Sequence, residues 1–208
     1  MDLPSSAISA VLQVLLFSTP PFITYVVTRR AVGGFRHYVG LYACPPRALV
    51  GAGVVLVVTA PFAVSVYLIP SLREVAMAGT SAAARIAALE PSVETFAIIL
   101  VVAGVQTGLA EEVLFRGFVA KRLIAWLGFQ RGNVLQSAVF VLPHLLLFVG
   151  PGGAAFGLAG LALATSFPAV VAWLAGWLNE RRAGGSILPG WAVHSAANVL
   201  AFSVALLI

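Results

Sequence analysis

Long apolar runs limit what this chain can fold into more than any other feature. An α-helix of about 20 apolar residues is long enough to cross the hydrocarbon core of a bilayer. Only 9% of the 208 residues are charged, against roughly 25% in a soluble domain. We therefore predict an all-α polytopic membrane protein with about six transmembrane helices, surrounded by the lipid bilayer. The predicted spans are residues 6–28, 48–70, 95–119, 133–150, 154–179 and 187–208.

Most basic residues lie in three of the predicted loops, which share one side of the membrane under a six-span count. The positive-inside rule therefore predicts both termini outside the cytoplasm. This arrangement also explains the net charge of +5 without a nucleic-acid partner. The residues are Arg29, Arg30, Arg36 and Arg47 after the first span, Arg116, Lys121, Arg122 and Arg131 after the third, and Arg181 and Arg182 after the fifth.

A few ionisable residues lie inside the predicted spans, where charge is costly and indicates a functional site. Glu111 lies in the third span, His144 in the fourth and His194 in the sixth. They are ten, 13 and 12 residues from the basic residue that marks the cytoplasmic end of each span. At about 1.5 Å per residue, all three lie roughly 15–20 Å from that end. The sequence thus predicts one polar layer inside the helix bundle.

The spacing of these polar residues distinguishes a structural ion pair from residues that can take part in a reaction. Glu112 and Arg116 have the i, i+4 spacing of an ion pair, which leaves Glu111 on another helix face, free to enter a cavity. A carboxylate and a neighbouring imidazole around one water form a plausible general-base pair. His194 and Asn198 share a helix face, so both can donate hydrogen bonds to a developing oxyanion. Activated water and oxyanion donors are what peptide hydrolysis requires.

Three short motifs resemble, in chain order, those of the CPBP intramembrane proteases, which include the CAAX-prenyl proteases and bacterial bacteriocin-processing, Abi-like proteins. Residues 172–202 are also similar to the family's last two core helices, and the resemblance covers roughly residues 95–203. It divides the single membrane domain into an N-terminal two-span region, 1–94, with a surface helix within 71–94, and a catalytic core, 95–208. The motifs are Glu111-Glu112-x-x-x-Arg116, Phe140-x-x-x-His144 and His194-x-x-x-Asn198.

The resemblance implies an intramembrane endopeptidase that acts on a peptide or membrane-protein substrate, placed in a bacterial cytoplasmic membrane. It makes Glu111 the general base, His144 its partner on the water, and His194 with Asn198 the oxyanion hole. Glu112 and Arg116 would brace the site, and Phe140 would shape it.

Hydrolysis by a glutamate is not the sole interpretation of these residues. Family members are described both as metalloproteases and as metal-independent enzymes. We predict no cofactor; the alternative is zinc held by Glu111, His144 and His194. A catalytically silent membrane binding or immunity protein of the same fold would also carry these motifs, and a proton-coupled transporter would also place Glu and His within its spans. The motifs specify neither the identity of the substrate nor the oligomeric state.

Overall fold

A computed structural model describes residues 1–77, 81–145 and 157–208, and within these ranges it contains helices and no β-strand. Three segments of the described ranges are π-helical, with backbone hydrogen bonds that run from i to i+5. They are π1 (Val102–Leu109), π2 (Glu112–Ala120) and π3 (Leu178–Arg182). The α-helices are α1 (Leu3–Arg29), α2 (Phe35–Tyr38), α3 (Pro46–Leu68), α4 (Pro70–Ala76), α5 (Ala82–Ala87), α6 (Val93–Val101), α7 (Lys121–Leu127), α8 (Phe129–Leu145), α9 (Gly157–Trp177) and α10 (Leu188–Leu207).

Four helices in the described part of the chain are long and apolar enough to cross a membrane. They match predicted spans one, two, three and six, and the prediction of a helical membrane protein is confirmed. Predicted spans four and five overlap α8 and α9, but residues 146–156, which include the turn predicted at Pro151-Gly152-Gly153, lie outside the described residues. The count of six therefore stays a prediction. The four helices are Leu3–Arg29, Pro46–Leu68, Val93–Leu127 and Leu188–Leu207.

Local sequence signals set where the helices begin. The Asp2 carboxylate accepts a hydrogen bond from the Ser5 amide at 2.8 Å, and the Ser92 hydroxyl accepts one from the Thr95 amide at 3.1 Å. These caps satisfy amides that have no partner in the first turns of α1 and α6. Helix α6, π1, π2 and α7 form one continuous helix of 35 residues that begins at Val93. Glu111 and Glu112 therefore lie near the middle of this helix.

Helix α10 lies at the centre of the bundle, where it packs against α3, π1 and α5, while α8 packs against α7 and α9. A buried apolar cluster joins Ile99 and Val102 to Phe202. The outside of the bundle is apolar as well, since Leu16 on α1 and Val57 on α3 are 66% and 75% exposed. Such a surface is suited to lipid, so the polar site has to lie among the helices.

The basic loops meet at one end of the bundle. The Tyr42 hydroxyl donates a hydrogen bond to the Gly184 carbonyl at 2.8 Å, and Lys121 Nζ lies 3.0 Å from Glu180 Oε1. These contacts join the loop after α1, the end of π2 and the loop after π3. The three loops that were predicted to share one side therefore lie together.

The segment 71–94 differs from the single solvated surface helix that its composition predicts. It forms two short helices, α4 and α5, and Ile86 on α5 is fully buried against the cluster around Phe202. Arg73 also donates a hydrogen bond to the Ile208 carbonyl at 2.8 Å. Apolar side chains within this charged segment pack it against α10. The overall polarity of the segment gave no indication of this packing.

Candidate active site

The imidazole of His194 lies between the two adjacent glutamates. Its Nδ1 is 3.3 Å from Glu112 Oε1, and its Nε2 is 3.7 Å from Glu111 Oε2. A carboxylate can only accept a hydrogen bond, so the Nδ1–H of His194 donates to Glu112. Residues more than 80 positions apart in the sequence are thus joined by the packing of the long helix against α10.

Glu112 and Arg116 form the ion pair predicted from their i, i+4 spacing. Arg116 Nη1 lies 3.1 Å from Glu112 Oε1, and the side chains are 1% and 0% exposed. The guanidinium also stacks on Phe140, 4.0 Å from the ring centroid, which adds a cation–π contact. Arg116 Nη1 makes no hydrogen bond to Glu112, so the two side chains attract each other through their opposite charges. Removing one partner would leave an unpaired buried charge.

Both carboxylates reach the same imidazole, although an ideal α-helix would direct adjacent side chains about 100° apart. Glu111 is partly exposed and Glu112 is fully buried, as expected for side chains on separate helix faces, and the spacing did not predict that both would contact His194. The backbone is π-helical on both sides of Glu111. A π-helix has more residues per turn than an α-helix, and such segments occur frequently at functional sites. The two glutamates therefore approach opposite nitrogens of His194.

The second imidazole of the site, His144, is held by Phe140. Its Nδ1–H donates to the Phe140 carbonyl at 3.0 Å, which leaves Nε2 without a proton and able to accept in the neutral ring. The Phe140 ring centroid lies 5.0 Å from that of His144 and 5.9 Å from that of His194. Phe140 therefore contacts both imidazoles and sets their spacing.

Asn198 lies one helical turn beyond His194 and is fixed by Thr107, a residue that was not predicted from the sequence. Its Nδ2 donates a hydrogen bond to Thr107 Oγ1 at 3.0 Å, and the Thr107 hydroxyl donates to the Val102 carbonyl at 3.0 Å. Thr107 precedes Glu111 by four residues. That spacing could have identified Thr107 from the sequence, because it places a hydroxyl one helical turn from a glutamate.

Asn179 and Gly190 also border the site, and neither was predicted to have a role. Asn179 is 1% exposed, and its Oδ1 accepts a hydrogen bond from the Gly190 amide at 2.9 Å. A Cβ atom on Gly190 would lie 2.7 Å from both Asn179 Nδ2 and Glu112 Oε2. Only glycine allows α10 to approach the buried carboxylate this closely. Gly190 precedes His194 by four residues, so it lies on the same helix face.

Within the described ranges, no group of three or more His, Cys, Asp or Glu side chains is arranged to hold a metal ion. Catalytic zinc sites use three protein ligands that surround one point. The alternative zinc set of Glu111, His144 and His194 therefore stays a prediction.

Comparison with known proteins assigns the chain to a family. No curated protein and no solved structure gives a significant match. A family model described as type II CAAX prenyl endopeptidase Rce1-like matches residues 93–200, which is just over half of the chain. The matched region includes all three motifs. The family resemblance predicted from those motifs is confirmed: this chain belongs to the Rce1-like type II CAAX prenyl endopeptidases, a family of helical membrane proteases that act on peptides.

Proposed function

We propose that this protein is an intramembrane endopeptidase in which Glu111 activates the hydrolytic water. The observation that carries the proposal is the placement of both carboxylates on His194, inside a helix bundle that faces lipid. Glu111 is 21% exposed, whereas Glu112 is fully buried. Water and substrate can therefore reach Glu111, and Glu112 is left to hold His194.

The first step transfers a proton from water to the Glu111 carboxylate, and the hydroxide forms a bond to the carbonyl carbon of the substrate. His144 accepts a hydrogen bond from the same water through Nε2, which fixes the direction of attack. The carbonyl electron pair moves onto its oxygen. When the tetrahedral intermediate collapses, the C–N bond breaks and Glu111 returns its proton to the leaving nitrogen. The products are a carboxylic acid and an amine, and transfer of the acid's proton to the amine gives a carboxylate and an ammonium group.

His194 and Asn198 stabilise the oxyanion in this mechanism. The Nδ1–H of His194 already donates to Glu112, so donation from Nε2 requires the imidazolium form. The two carboxylates together balance the charges of this imidazolium and of Arg116. Asn198 donates one N–H to Thr107, and the amide has a second N–H for the substrate. A single donor of this kind contributes about 10²–10³-fold to kcat.

We further propose that hydrolysis needs no metal, and that the site opens towards the cytoplasmic half of a bacterial cytoplasmic membrane with both termini outside the cytoplasm. Three basic loops at one end of the bundle support this orientation. The metal question is separable by experiment. Elemental analysis of the purified protein should find no stoichiometric zinc, and a chelator should leave cleavage unchanged; loss of cleavage that zinc restores would establish a metalloprotease.

The central test compares peptide termini in membranes of cells that carry the wild type or Glu111→Gln. The wild type should generate a defined set of new termini, and Glu111→Gln should lose them by at least ~10³-fold, since removing a general base and its charge affects the same step. His144→Ala should also abolish cleavage.

Glu94→Gln is the matched control, because Glu94 lies on the same long helix but is exposed at its first turn. It should cleave as the wild type does. Unchanged termini in both Glu111→Gln and His144→Ala, at wild-type protein levels, would refute the proposed hydrolysis and favour a binding protein of the same fold.

A further inference from the structure

Four buried polar atoms beside the proposed site have no hydrogen-bond partner within the described structure: Glu112 Oε2, Asn179 Nδ2, and Arg116 Nε and Nη1. Arg116 Nη1 lies against the other carboxylate oxygen, Glu112 Oε1, whereas Asn179 Nδ2 and Glu112 Oε2 both lie over Gly190. Glu112 Oε2 can only accept a hydrogen bond and Asn179 Nδ2 can only donate one. A buried polar group that makes no hydrogen bond is strongly disfavoured, and most such groups in proteins have a partner. Glu112 Oε2 and Asn179 Nδ2 are therefore a matching acceptor and donor, and both are buried.

Their positions bring them towards each other over Gly190. Each atom lies 2.7 Å from the point that a Cβ on Gly190 would occupy, so no more than twice that distance separates them. Asn179 is already oriented, because its Oδ1 accepts from the Gly190 amide at 2.9 Å, and this leaves Nδ2 on the side of the carboxylate.

We propose that Asn179 is a positioning residue of the site: its Nδ2–H donates to Glu112 Oε2 and fixes the carboxylate that holds His194. Glu112 Oε1 lies near Arg116 and His194, so the bond from Asn179 restrains the free oxygen and sets the angle of the carboxylate. Asn179 touches no reacting atom in the proposed reaction. The inference rests on the proposed hydrolysis, which it deepens by adding the group that orients Glu112.

The chemistry of Asn179 explains why a neutral amide suits this position. An aspartate would have the same shape and could still accept from the Gly190 amide. Its second oxygen, however, would place another negative charge beside Glu112. An alanine would leave Glu112 Oε2 unpartnered without adding repulsion. A role in packing alone would rank the isosteric aspartate above alanine, whereas a donor role ranks alanine above aspartate.

Asn133 supplies a matched control. It is also a fully buried asparagine, and its side chain bonds to the Trp173 carbonyl at 2.9 Å and to Gln136 at 3.0 Å, with no contact to the glutamates. Alanine and aspartate substitutions at Asn133 should lower the amount of folded protein. The molecules that fold should keep the wild-type kcat.

The experiment measures kcat and KM per folded full-length protein in detergent, with a fluorogenic peptide that spans the cleavage site found in the termini comparison. Asn179→Ala should lower kcat about 10-fold and Asn179→Asp about 10²-fold, the scale expected for a displacement of about 1 Å, with KM within about twofold. If the aspartate variant does not fold, Asn179→Ser, which keeps a donor, should be more active than Asn179→Ala.

Two results would overturn the inference: Asn179→Asp at least as active as Asn179→Ala, or Asn179 variants that change only the folded amount, as the Asn133 variants do. If Asn179→Asp does not fold, the inference is overturned when Asn179→Ser is no more active than Asn179→Ala. The proposed hydrolysis fails differently, since wild type and Glu111→Gln would then give the same termini.

Discussion

Gly190 occupies the closest approach of α10 to the buried glutamate, so Gly190→Ala is a direct test of the site's packing. The added Cβ would lie 2.7 Å from Glu112 Oε2 and 2.9 Å from Asn179 Oδ1. Non-bonded heavy atoms do not approach this closely, so the carboxylate, the amide or α10 has to move. Glu112 cannot move freely, because Arg116 and His194 both lie against its Oε1.

The cost of Gly190→Ala follows from three contributions. Overpacking of this kind costs about 1–3 kcal/mol, and weakening the hydrogen bond from the Gly190 amide to Asn179 adds ~0.5–1.5 kcal/mol. The better helix propensity of alanine recovers ~1 kcal/mol. The net loss in the free energy of unfolding is about 2 kcal/mol, which lowers Tm by roughly 4–8 °C for a chain of this length. Displacement of Glu112 by about 1 Å should lower kcat by ~10²-fold.

Thermal melting of the protein in nanodiscs, followed by tryptophan fluorescence, measures the first effect, and cleavage of the reporter peptide measures the second. Trp191 adjoins the substituted residue and reports on it directly. Gly53→Ala is the control, because Gly53 is an exposed glycine of α3 with no atom within 4 Å of its added Cβ. If Gly190→Ala melts and cleaves as Gly53→Ala does, the close approach of α10 to Glu112 is wrong.

Three further predictions use other parts of the structure. Glu112→Gln leaves the buried Arg116 without its counter-charge and should destabilise the protein by about 3–5 kcal/mol, measured as loss of Tm and of accumulated protein. Thr107→Val, nearly isosteric, removes the acceptor for Asn198 and should lower kcat about 10-fold with a smaller change in Tm, which steady-state cleavage and melting separate. Cys44, the single cysteine, lies in a basic loop and should react with a membrane-impermeant thiol reagent only after cells are opened; labelling in intact cells would reverse the proposed orientation.

The fold class could be predicted from the sequence because a bilayer leaves few choices for an apolar run. Lipid provides no hydrogen-bond partners for backbone groups, so a run of about 20 apolar residues has to form a helix. The Glu112–Arg116 pair followed from spacing alone, since both residues lie on one helix and the pair is local. Predictions of this kind depend on contacts within one helix, which the order of residues specifies.

Contacts between helices were harder to predict, because they depend on how the backbone departs from ideal geometry. The joint contact of Glu111 and Glu112 with His194 depends on the π-helical segments, and no residue pattern in 102–120 specified them. Thr107 and Asn179 were missed for a related reason. Each is a single polar residue whose importance emerges only when π1 and π3 lie against α10.

Side-chain exposure differs across the site in the way that the proposed mechanism requires. Arg116 and Glu112 are 1% and 0% exposed, while His194 and Glu111 are 13% and 21% exposed. With His194 as the imidazolium, two negative and two positive charges balance, which lowers the cost of placing them within a membrane domain. Neutralising Glu111 removes a charge that water partly solvates, so the fold should tolerate it while cleavage is lost. Neutralising Glu112 unbalances the dry end of the same cluster, so the fold itself should weaken. We therefore expect the adjacent glutamates to differ in function, because Glu111 is partly exposed and Glu112 is buried.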